Sequence, residues 1–192
     1  MNCVVNKFNT YSDKLNSFDE KQSKSILRGK NNIIIKSKQE LIYYVFESFR
    51  NKNSNKNIHL GIIPDEVISK IKNKISDISK ENLNVLFNDD IKYALVVNQE
   101  EIRHMKKDSL REIDIVNFIL YLDDIVTNFD TVRYCIYNNN QKALRFKKKY
   151  DSTYITLTII SNKYHTLRTQ TLFISKEDLK IKRNLSPSLN EL

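Results

Sequence analysis

The feature that most limits what this chain can fold into is a change of hydrophobic period at Val132. Upstream, apolar residues recur every three or four positions. From Val132 onward they alternate every two, the spacing of strands with one buried face. Four alternating runs follow, Val132–Tyr137, Lys142–Lys149, Thr153–Ser161 and Tyr164–Ile174. The links between them, 138–141, 150–152 and 162–163, are short enough for hairpins, so these runs predict a four-stranded antiparallel meander.

The upstream part alternates short apolar runs with amphipathic helices. Ile33–Ile35, Ile58–Ile63 and Ile91–Val97 read as strands. Ser37, with Glu40 three residues on, has capping-box spacing and opens a helix over Lys38–Arg50. Its apolar face is Leu41, Ile42, Val45, Phe46 and Phe49. Pro64 stands at the start of a second helix with Val67, Ile68, Ile71 and Ile75 on one side. Asn98 can cap a third, QEEIRHMKK, acidic in its first turn and basic in its last as the helix dipole favours. A fourth runs from about Glu112 to Val126. The expected fold is α+β, with N-terminal helices packed on the C-terminal four-stranded antiparallel sheet. Residues 1–55 are expected to form an N-terminal layer, with 1–30 a flexible leader or loose helical arm. Residues 56–192 are expected to form the main domain, ending in a disordered tail.

Composition narrows the function classes. The chain has 192 residues, 40% hydrophobic and 29% charged, an ordinary globular balance. No run approaches the roughly 18 apolar residues of a membrane span, and no secretory signal pattern opens the chain. Cys3 and Cys135 make no disulfide framework, which fits a reducing cytosol such as that of a bacterial host cell. No metal site is expected, because the histidines and cysteines are widely spaced. Gly29 and Gly61 belong to no phosphate-cradling loop, so P-loop and dinucleotide-binding enzymes are excluded. No cofactor is expected.

The net charge of +9 is unevenly spread. Residues 131–192 hold 12 Lys and Arg against 4 acids, whereas residues 1–130 hold 20 against 19. An anionic partner is therefore expected on the C-terminal sheet. In KALRFKKK, alternation puts Leu144 and Phe146 on one face and Ala143, Arg145, Lys147 and Lys149 on the other. In the next strand Ile155, Leu157 and Ile159 are the expected buried set, leaving Tyr154, Thr156 and Thr158 beside the basic row. Bases stacked on Tyr154, with cations on phosphates, suit single-stranded or looped RNA. In LRTQTLF, strict alternation turns Thr169 and Thr171 inward and Arg168 and Gln170 outward, an order that a bulge would change.

Of the three histidines, His104 has the context for chemistry. It shares a short helix with Arg103, Lys106 and Lys107. A neutral imidazole there can accept the proton of a ribose 2′-hydroxyl, while cations stabilise the phosphorane. His59, in an apolar strand, and His165, at a hairpin edge, read as structural or exposed.

The order of IHLGIIPDEVISKI, VVNQEEIRHMKKDS, FILYLDDIVTNFDTV, KALRFKKKYDSTYITLTII, HTLRTQTLF and NLSPS resembles the phage-associated branch of the barnase–EndoU–colicin–RelE nuclease superfamily. The resemblance implies helices packed on a four-stranded sheet and metal-independent RNA cleavage by transesterification, in a phage- or toxin-associated protein. By position, His104 matches the family's helix histidine, Lys147 the basic residue of its FxK run, and Thr171 its final-strand threonine. The family's second histidine falls at Ser109, beside Asp108. The expected roles are His104 as base, Arg145 and Lys147 as phosphorane stabilisers and Thr171 as phosphate orienter. Arg103, Lys106, Lys107, Lys149, Tyr154 and Arg168 are expected to bind RNA. The expected partners are tRNA, mRNA or other looped RNA and an immunity or host protein, with no membrane. The alternative is a non-catalytic phage or mobile-element protein that binds RNA and inhibits a host ribonucleoprotein or defence complex.

Overall fold

A computed structural model of the chain describes residues 31–76, 86–88, 90–107, 111–150 and 152–174. The leader 1–30, the polar stretch 77–85, Ser109 with its neighbours, and the tail from 175 lie outside the described residues.

The elements follow local chemistry closely. β1 (Asn32–Ile34) leads to α1 (Lys38–Arg50), where Glu40 N donates to Ser37 Oγ at 3.1 Å, the N-cap that the sequence predicts. β2 (Asn57–Ile62) precedes Pro64 and α2 (Asp65–Lys74). β3 (Ala94–Asn98) runs directly into α3 (Gln99–Lys107), with Glu100 N donating to Asn98 Oδ1 at 2.8 Å. α4 (Glu112–Thr127) buries Ile115, Phe118, Ile119, Leu122 and Val126. β4 (Thr131–Tyr137), β5 (Gln141–Lys149), β6 (Thr153–Ser161) and β7 (Thr166–Ile174) complete the chain. The β4–β5 link places Asn139 and Asn140 at φ 57° and 60°, a region asparagine tolerates better than most side chains.

The architecture corrects the expected four-stranded antiparallel sheet under N-terminal helices. The meander β4–β7 is present, but it is half of one seven-stranded mixed sheet ordered β1-β2-β3-β7-β6-β5-β4. β1 pairs parallel with β2, β2 antiparallel with β3, and β3 parallel with β7. β7 is therefore an interior strand. β1 and α1, from the N-terminal layer, share the sheet and core of the rest. Neither parallel pairing leaves a local sequence mark, because the two strands of a parallel pair are joined by a long crossover.

One side of the sheet is covered. Val97, Leu144, Phe146 and Leu167 pack there with Ile102 of α3 and the apolar face of α4, all essentially unexposed. The other side, uncovered in that no helix among the described residues packs on it, carries Arg133, Arg145 and Lys147, all exposed, although Val96, Ala143, Ile155 and Ile159 on that side are buried. No helix among the described residues is long and apolar enough to cross a membrane.

Candidate functional site

Registers decide what the uncovered face presents. Arg133 lies directly opposite Arg145, Arg145 opposite Leu157, and Leu157 opposite Thr171. One row across four strands thus reads Arg133, Arg145, Leu157, Thr171, with about 5 Å between successive strands. Lys147 is one step along β5, opposite Ile155, which lies opposite Phe173. The Arg145 guanidinium sits 5.8 Å from the Phe173 ring centroid. None of Arg133, Arg145 and Lys147 has an ion-pair partner among the described residues. Like charges placed directly opposite across a strand pair destabilise a sheet unless something neutralises them.

Thr171 reaches this face through a bulge. Up to Leu157 the β6–β7 register pairs Leu157 with Thr171, but the next pair is Thr158 with Thr169, so Gln170 is the extra residue. Bulges re-aim side chains in this way. Thr169 turns into the core, fully buried, while Arg168 and Thr171 both take the uncovered face. Strict alternation had put Thr171 inward.

The bulge also joins the sheet to α3. Gln170 Nε2 donates to Glu101 Oε1 at 2.5 Å, and Glu101 Oε2 lies 3.7 Å from His104 Nδ1. Burial pushes the Glu101 carboxyl above the usual carboxylate range, against the pull of the Gln170 hydrogen bond and the charges of His104 and Arg168. The half-exposed His104 ring is thereby flanked on its Nδ1 side by a carboxylate, leaving Nε2 for other work. Sequence reasoning passed over Glu101 and Gln170. The i, i+3 spacing of Glu101 and His104 was a visible signal; the role of Gln170 depends on the bulge.

The remaining predicted residues divide. Lys149 and Arg168 share the face with Arg145 and Lys147, Lys149 at its exposed end and Arg168 partly buried. Tyr154 does not: it pairs with Lys148 on the covered side and packs against Phe118 at 4.8 Å and Tyr150 at 5.6 Å. The face assignment of β6 is therefore inverted relative to expectation. Ile155, Leu157 and Ile159 lie with the basic row, while Thr156 and Thr158 turn under the helices. Both threonines satisfy their hydroxyls on backbone carbonyls, Thr156 Oγ1 to Thr171 O at 3.1 Å and Thr158 Oγ1 to Leu144 O at 3.3 Å. Arg103 donates through Nη1 to the carbonyls of Ser48, Asn51 and Ser54, closing the C-terminal end of α1. Lys106 is paired with Glu112 at 2.5 Å. The side chain of Lys107 lies outside the described residues.

Towards β1 the same face holds His59, which lies opposite Val96, with Val96 opposite Arg168. His59 is 3% exposed, and its buried Nδ1 has no hydrogen-bond partner. Burial lowers its pKa from 6.5 to about 4. The folded chain therefore refuses a proton that the unfolded chain accepts below about pH 6.5. Stability is unaffected above that pH and falls by about 3 kcal/mol as pH drops from 6.5 towards 4. Urea unfolding at pH 7.5 and 4.5 measures this. His59→Gln is expected to show a loss smaller by about that amount, and an equal loss in both proteins would contradict the assignment.

No curated protein and no solved structure matches the chain significantly. The family model described as phage-Barnase-EndoU-ColicinE5/D-RelE like nuclease3 matches residues 69–182. That span is more than half of the chain and includes His104, Arg145, Lys147 and Thr171. The chain belongs to this phage-associated nuclease family.

Proposed function

We propose that the protein is a metal-independent endoribonuclease that cleaves RNA through attack of the ribose 2′-hydroxyl on the adjacent phosphodiester. The observation that carries this reading is the uncompensated Arg133–Arg145 pair with Lys147 on one sheet face, with Thr171 at the end of the row and the adjacent Gln170 bonded to Glu101 of the helix that carries His104. Such a row suits a phosphate chain, and its cations stabilise charge that builds on the non-bridging oxygens. His104 Nε2 takes the 2′-hydroxyl proton. The 2′-oxygen bonds to phosphorus, the bond from phosphorus to the 5′-oxygen breaks, and the leaving oxygen takes a proton from solvent water, to which His104 returns the proton it accepted. The products are a 2′,3′-cyclic phosphate and a 5′-hydroxyl. The participating groups are imidazole, guanidinium, ammonium and hydroxyl, the set that such a transfer needs without a metal. Thr171 donates to a phosphate oxygen and fixes the scissile group over the row.

Total RNA incubated with the purified protein in EDTA tests this. The expected result is cleavage with cyclic phosphate ends. Salt-sensitive RNA binding with no cleavage would replace the proposal with that of a binding protein.

A further inference from the structure

The β1-side end of the uncovered face contains a cavity of about 690 Å³, within the range of small-molecule sites. The row Arg133–Arg145–Thr171 lies outside it. His59, Asn32, Asn57, Arg168, Lys163 and Tyr164 line it. The asparagines come from different strands and form a ladder. Asn98 Nδ2 donates to Asn57 Oδ1 at 3.0 Å, and Asn57 Nδ2 donates to Asn32 Oδ1 at 3.2 Å. The last amide of the ladder, Asn32 Nδ2, donates to nothing among the described residues. Beside it is His59, buried and neutral, with a ring nitrogen that has no partner. The partly exposed Asn32 amide is a donor that a ligand in the cavity can meet, while the His59 Nδ1 itself is closed off from solvent and the ring forms the wall behind it.

The rim has a different chemistry. Arg168 and Lys163 make no ion pair among the described residues. Tyr164 is 64% exposed, with the Lys163 ammonium 5.2 Å from its ring centroid. An amide ladder and a neutral imidazole match the polar edge of a planar heterocycle. An exposed ring offers stacking, and two cations match a phosphate.

We propose that this cavity is a mononucleotide-binding subsite, seating the base on Asn32, Asn57 and His59 and the phosphate on Arg168 and Lys163, with Tyr164 stacked on the base. The ladder ends on Asn98, the cap of α3, so the subsite is wired to the helix that carries His104. It would hold one nucleotide of the RNA, and it rests on the nuclease reading for that identity alone.

Calorimetric titration of the full chain with the four 5′-monophosphates tests it, with inorganic phosphate and the matching nucleosides as comparators. At least one monophosphate should saturate one site per chain, with no comparable binding of inorganic phosphate. Arg168→Gln should weaken it about tenfold through loss of a charge-assisted contact. Tyr164→Ala, at an exposed position that folding tolerates, should weaken it at least about fivefold through loss of stacking. Absence of saturation by all four, equal binding of inorganic phosphate, or unchanged affinity in both variants would overturn the proposal. RNA cleavage without monophosphate binding removes the subsite and leaves the nuclease reading intact. Monophosphate binding that responds to both variants, without cleavage, does the reverse.

Discussion

Replacing His104 with alanine is expected to lower the rate of RNA cleavage by about 10²- to 10⁴-fold, the usual contribution of a positioned general base. Half of the side chain is exposed and its charged neighbour is Glu101, so thermal stability and RNA affinity should stay near those of the parent. Glu101→Gln should give a smaller loss and move the pH–rate profile, because it keeps the contact with Gln170 but removes the carboxylate behind the imidazole. Lys106→Ala, which breaks the pair with Glu112 and the contact with the Phe49 ring, should change the rate little. Single-turnover cleavage of a labelled RNA measures all three. A His104→Ala rate within threefold of the parent would remove the base from the mechanism.

The second large effect falls on stability. Phe146→Ala is expected to cost about 3–5 kcal/mol, the range for deleting a fully buried aromatic side chain. Phe146 is unexposed, and its ring centroid lies 5.5 Å from that of Phe129. It points under the helices while Arg145 and Lys147, on either side in sequence, point away. Urea unfolding should therefore show a marked fall in midpoint. On the proposed function, the folded fraction should bind RNA with an unchanged salt slope, because Arg145 and Lys147 remain. A cost below about 1 kcal/mol would mean that the two faces of β5 are assigned the wrong way round.

The two faces of β5 were legible in the sequence because Leu144 and Phe146 differ sharply from Arg145 and Lys147. β6 shows why the same reasoning fails next door. Tyr154, Thr156 and Thr158 alternate with Ile155, Leu157 and Ile159, so both sides are acceptable in a core. The strand is buried on both sides for most of its length. Hydrophobicity alone chooses the isoleucine side, whereas register with β5 enforces the other, and the threonine hydroxyls find carbonyl acceptors. Helices α1 and α4 were legible because a 3.6-residue period, and in α1 the Ser37 cap, act over a few neighbours. The pairings of β1 with β2 and of β3 with β7 join distant segments, so nothing local announces them. Those pairings are what bring Asn32, Asn57, His59 and Arg168 together. The bulge at Gln170 is a third case: one added residue moves Thr171 to the face that carries Arg145.

Cleavage of an RNA oligonucleotide beside the same oligonucleotide with one 2′-deoxy substitution at the scissile nucleotide, both in EDTA, tests the central claim most directly. Attack by the 2′-oxygen predicts that the deoxy substrate is bound with nearly the same affinity but not cut at that position, while the RNA yields a cyclic phosphate there. Cutting of the deoxy-substituted bond at a comparable rate, or 3′-hydroxyl ends from the RNA, would contradict it.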